Sequence, residues 1–101
     1  MKIEIVDFYP KRTEKKDAFL QGHLRIYLID QQMDILGVFV QKIKDKWFFR
    51  LPSGKGTDHE TNEMVRFPLV SFTNRDKNKE LMTAIRSQGK QYILENHGDL
   101  L

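Results

Sequence analysis

The sequence contains no cysteine among its 101 residues, which excludes a disulfide framework, a thiolate metal cage and a cysteine nucleophile. No apolar run approaches the roughly 20 residues of a membrane span. Met1-Lys2-Ile3-Glu4 carries charges where a signal peptide needs an unbroken apolar stretch, so a cytoplasmic protein with no membrane partner is expected. The three histidines, His23, His59 and His97, stand 36 and 38 residues apart, without the short spacing that puts two metal ligands on one face. A metal is therefore not expected, and neither is a cofactor. No Ser-His-Asp or paired-carboxylate arrangement is recognisable from spacing, so nothing positive supports an enzyme or a small-molecule substrate. Internal repeats and low-complexity segments are also lacking.

What is present is ample apolar material: 40% of all residues are hydrophobic and 11% of all residues are aromatic. That suffices to offset the entropy of ordering, and the length fits one domain over residues 1–101. Seventeen Lys+Arg against fourteen Asp+Glu give a net charge of +3, which permits a polyanionic partner without demanding one. Its distribution is more informative. Residues 41–56 hold five basic and one acidic residue, 57–63 three acidic and none basic, and 64–90 six basic and two acidic.

Alternation predicts a strand over Met1–Tyr9, ended by Pro10, then a solvated linker from Lys11 to Asp17. A second strand follows over Ala18–Asp30, with Leu24, Ile26 and Leu28 on one side, then a polar turn over Gln31–Asp34 and a third strand over Ile35–Lys44. Asp45-Lys46 is the expected hairpin turn, which would pair Val40 with Leu51 and Lys42 with Phe49. One face then collects Leu36, Val38, Val40, Trp47, Phe49 and Leu51 as core, with Lys42 and Lys44 at the turn end. The other collects Phe39, Gln41, Ile43, Phe48 and Arg50. A sheet covered by one helix buries only one face, so Phe39, Ile43 and Phe48 need a partner subunit over them or bases stacked on them beside Arg50.

Pro52–Glu63 reads as a twelve-residue polar loop. Its Ser53-Gly54-Lys55-Gly56-Thr57 resembles a phosphate-cradling turn, but Phe49 stands where the full triphosphate-binding pattern needs glycine. Lys55 on a glycine-flanked turn can still meet a nucleic-acid phosphate. Met64–Phe72 resumes a strand, which Pro68 confines to an edge or bulge. With Thr73 or Asn74 as N-cap, Leu81, Met82, Ile85, Tyr92 and Ile93 predict a helix over residues 75–95, weakened by Ser87 and Gly89. At 100° per residue, Lys79, Arg86 and Lys90 fall within about 40° of one another beside the apolar sector. Such a basic stripe suits a phosphate backbone or an ordinary solvated face equally well. Arg75 and Lys77 in the first turn oppose the helix macrodipole, a small cost that hints at external use.

The order of these elements resembles the SpoVG (stage V sporulation protein G, septation protein) family of small bacterial nucleic-acid-binding regulators, over about residues 1–95. The resemblance rests on Met1-Lys2-Ile3-Glu4-Ile5-Val6, on Leu28-Ile29-Asp30 followed by Ile35, and above all on Phe48-Phe49-Arg50-Leu51-Pro52-Ser53, similar to the family's Phe-x-x-Met-Pro-Ser. A polar loop, Phe67-Pro68 and a closing helix with Ile85 and Tyr92 follow in the same order. The chain has Gly54-Lys55 where the family has two basic residues, and Phe67-Pro68 where it has His-Pro. The resemblance implies an α+β fold, a homodimer, and binding of DNA or RNA through the basic loop and C-terminal helix.

Together these readings predict an antiparallel sheet of about five strands with one C-terminal helix. The expected function is a dimeric, non-enzymatic nucleic-acid-binding regulator using Lys55, Arg75, Lys79, Arg86 and Lys90, with Lys42, Lys44 and Arg50 as secondary candidates. The rival reading is an adaptor module that binds another protein through Phe39, Ile43 and Phe48.

Overall fold

The structure, a computed structural model, describes residues 1–11 and 19–100; most of the expected Lys11–Asp17 linker lies outside them. It is an α+β protein. Strands β1 (Ile3–Pro10), β2 (Phe19–Leu28), β3 (Met33–Ile43) and β4 (Lys46–Arg50) form an antiparallel sheet in the order β1-β2-β3-β4. Strands β5 (Ser53–Thr57) and β6 (Met64–Pro68) form a separate two-stranded sheet. Helix α1 (Arg75–Asn96) follows, with a 3₁₀ turn over Gly98–Leu100. The expected single sheet of about five strands is thus two sheets, of four strands and two. Among the described residues no helix is long and apolar enough to cross a membrane.

Alternation places Leu24, Ile26, Leu28, Val38 and Val40 fully inside, under α1. The helix buries Leu81, Ile85, Gly89 and Ile93, spaced four apart along one line of its surface. Asn74 is the N-cap; its side chain accepts from the Asp76 and Lys77 N–H groups at 2.9 and 3.2 Å, satisfying two donors the first turn leaves unpaired. Gly89 does not act as a weak point. A Cβ there would meet Leu24 Cδ1 at 2.8 Å and Phe49 Cε1 at 3.1 Å, so the missing side chain is what lets the helix sit close to the sheet.

The hairpin turn is Lys44-Asp45, with Lys44 at φ 56, rather than Asp45-Lys46. Val40 therefore pairs with Phe49 and Lys42 with Trp47. The correction slides the register by two residues, which leaves the β4 side chains and their β3 partners on their expected faces. Similarly, the turn after β2 ends at Gln32, and β3 begins at Met33 within the expected Gln31–Asp34 turn.

Leu36 departs from the expectation altogether, being 63% exposed while Ile35 is buried. Ile26 pairs with Ile35 and Leu24 with Val38, so β3 carries an extra residue there. The positive φ of 80 at Gly37 accommodates it. β1 does the same between Ile5 and Asp7, opposite Arg25. Two bulges thus flank Arg25, one on each neighbouring strand, and each turns one apolar side chain, Val6 or Leu36, out of the core.

The expected loop over Pro52–Glu63 is largely strand β5 and the turn that follows it, and the strand after it ends at Pro68 rather than Phe72. β5 and β6 pair with each other and share no extensive packing with other elements among the described residues. The radius of gyration, 14.9 Å, exceeds the roughly 13 Å of a compact chain this long. The pair is an arm.

Candidate nucleic-acid interface

Three regions carry the cations singled out in the sequence. On α1, Lys79, Arg86 and Lys90 are all exposed, as is Arg75 at the first helical position. Burying the Leu81-Ile85-Gly89-Ile93 line fixes these three on the flank of the helix. Lys79 also lines an open concavity with Met1, Glu80, Thr83 and Gln88, at the start of β1.

On the arm, Lys55 stands directly opposite Arg66 across the β5–β6 ladder, and both are exposed. Directly opposed like charges destabilise a strand pair. Among the described residues neither has a carboxylate within ion-pair distance, and the one ion pair is Arg25–Asp34. The acids of the arm are gathered at its tip, where Asp58 closes the turn by accepting from the Glu60 N–H at 2.9 Å. Arg66 was not singled out from the sequence, because its significance comes only from the pairing that sets it beside Lys55. Among the described residues the arm shares no extensive packing with α1, so Lys55 and the helix stripe are not joined in one packed cluster.

The secondary cations fall in different places. Lys42 lies on the helix side of the sheet, with its Nζ 5.9 Å from the centre of the Trp47 ring and donating to the Lys44 carbonyl. Lys44 is exposed in the turn. Arg50 lies on the opposite, open face, its guanidinium carbon 4.8 Å from the centre of the Phe39 ring.

That open face is more ordered than alternation alone implies. Tyr9 pairs with His23, His23 with Phe39, and Phe39 with Arg50, giving one unbroken row of planar side chains across all four strands. His23 meets Phe39 edge-on, ring centres 5.9 Å apart at 66°. Tyr9 is 51% and Phe48 48% exposed, and Ile43 is also open. At the Arg50 end the row borders a cleft of about 180 Å³ lined by His23, Phe39, Arg50, Pro52 and Ser53. Two residues along β2 from His23, Arg25 bonds Asp34 at 3.2 Å. That hydrogen bond and charge, aided by Tyr9 and opposed by burial, hold the guanidinium pKa above its ordinary value.

The other histidines are not part of this row. His59 is in the turn at the arm's tip, and His97 is the C-cap of α1, its ring 5.2 Å from Phe8. No family model, curated protein or solved structure matches this chain.

Proposed function

We propose that the chain is a nucleic-acid-binding regulatory protein of SpoVG-like type, working as a homodimer and gripping the phosphates of DNA or RNA without catalysing a reaction. The observation that carries this reading is the Lys55–Arg66 pair: two exposed cations held side by side on a projecting arm, in an arrangement that costs stability unless an anion lies between them. A phosphate there would remove that repulsion and release condensed counterions. Arg75, Lys79, Arg86 and Lys90 extend the cationic surface along α1. The acidic tip of the arm restricts contact to its root half. Dimerisation is carried over from the family resemblance alone.

The test compares Lys55→Ala/Arg66→Ala and Lys79→Ala/Arg86→Ala/Lys90→Ala with the parent chain, by anisotropy of a labelled 20-mer at several salt concentrations. Each phosphate contact contributes about 0.7 to the logarithmic salt slope for a single strand and about 0.9 for a duplex. The arm variant should therefore lower the slope by about 1.4 to 1.8, and the helix variant by about 2 to 3. Unchanged affinity and slope in both variants would overturn the reading. The adaptor alternative is favoured by the exposure of Phe48 and Ile43, and predicts no salt-sensitive oligonucleotide binding.

A further inference from the structure

The row Tyr9, His23, Phe39 and Arg50 is unexplained by phosphate contacts. We propose that it is a stacking platform for unpaired bases, so that the polyanion this chain takes is single-stranded DNA or RNA; this rests on the nucleic-acid reading above and narrows it.

Neighbouring strands lie about 4.8 Å apart, and each of the four contributes one planar group to the row. Three rings and a guanidinium stand side by side, His23 edge-on to Phe39 and Arg50 over the Phe39 ring, and together they offer π-faces and edges that bases of any sequence can stack on. Phe39 is braced from two sides, by the Arg50 guanidinium and by the edge of His23. Tyr9 and, two residues from Arg50 on β4, Phe48 present open rings. Opposite Phe48 stands Gln41, which itself pairs with Gln21; these amides can donate to and accept from base edges.

Charge fits the same occupant. On the half of the open face built by β3 and β4, Lys46 and Arg50 flank Phe48 on one strand, and no carboxylate lies in the paired positions beside them. The acids of this face, Glu4, Asp7 and Asp34, belong to the half around Arg25, which holds Asp34. The cleft at the Arg50 end reaches Pro52 and Ser53, the first residue of β5. A strand whose bases lie on the row therefore runs its backbone directly onto the root of the arm, toward Lys55 and Arg66. A duplex cannot use this surface, because its base faces are already stacked on one another and only groove edges are open.

The experiment uses the full chain and 15-mers of dT and of U, each carrying one 2-aminopurine, beside a 15-bp duplex of the same composition. Binding should quench the 2-aminopurine as it stacks, and single strands should bind at least tenfold more tightly than duplex at equal salt. Tyr9→Ala and Phe39→Leu should each weaken single-strand binding by roughly tenfold while leaving the salt slope unchanged; the exposed Tyr9 provides a variant that keeps the core intact. Duplex binding as tight as single-strand binding would overturn the proposal. So would undiminished single-strand affinity in both ring variants while Lys55→Ala/Arg66→Ala weakens it, an outcome that leaves phosphate binding standing. A change from dimer to monomer with Tyr9→Ala, without loss of quenching per bound chain, would assign the row to a subunit interface. Failure of every oligonucleotide to bind would remove the underlying reading and this one with it.

Discussion

The four-stranded sheet and the two-stranded arm are both antiparallel β structure, yet they are held by different means. The sheet buries Leu24, Ile26, Leu28, Val38 and Val40 completely beneath α1. None of the arm's described side chains is buried, and its first strand, Ser53-Gly54-Lys55-Gly56-Thr57, contains two glycines and one large side chain. A lone hairpin of that kind is at best marginally stable in water. What ties it down is at its root: the Leu69 N–H donates to the Pro52 carbonyl at 2.9 Å. Beyond that, Asn78 on α1 grips Phe72 at both ends, accepting from its N–H and donating to its carbonyl at 2.6 Å each. The body's residues are thus specified by packing. The arm's are free of that demand, which leaves room for two like charges set side by side.

The largest effect should come from emptying the body. Ile85→Ala leaves a cavity under the sheet and should cost about 2–5 kcal/mol of unfolding free energy in urea titration. Val65→Ala on the arm should change it by less than about 0.5 kcal/mol. Comparable losses at the two sites would break the contrast. An intermediate effect is expected at the junction, where Asn78→Ala removes two side-chain hydrogen bonds and should cost about 1–2 kcal/mol. Hydrogen exchange should then rise first at Leu69 and Phe72, and uniform exchange would show the arm anchored some other way.

The smallest effect concerns Tyr92, half-buried on the helix face. Desolvation, with the nearby charges of Asp7 and Tyr9, raises its pKa above the ordinary 10.0. The folded chain therefore holds the phenol proton more tightly than the unfolded one. The associated stability is complete below about pH 10 and is lost as pH rises through the higher folded value. Tyr92→Phe should flatten that alkaline decline without altering stability at neutral pH; an unchanged decline would place its origin elsewhere.

Much of the body was legible in the sequence. Strict alternation in Leu24, Ile26 and Leu28 gave β2 its buried side, and the spacing of Leu81, Ile85 and Ile93 after Asn74 gave α1 its start and its inner line. The assignment of Phe39, Ile43 and Phe48 to an open face survived a misplaced turn, because a slide of two residues preserves the alternation. Leu36 was assigned to the core and is exposed, since the bulge that expels it depends on how Ile35 and Val38 fit across from Ile26 and Leu24. Gly89 reads as a helix defect until Leu24 and Phe49 are seen against it. Arg66 passes unnoticed until β5 pairs with β6.

The order of residues alone determined which positions alternate, where the helix begins and where positive charge accumulates, because those properties act over a few neighbouring residues. Only the tertiary structure decided that Tyr9, His23, Phe39 and Arg50 share one row and that Lys55 meets Arg66. Register and bulges are set by side chains fitting together across strands that are distant along the chain, and no local period encodes that fit.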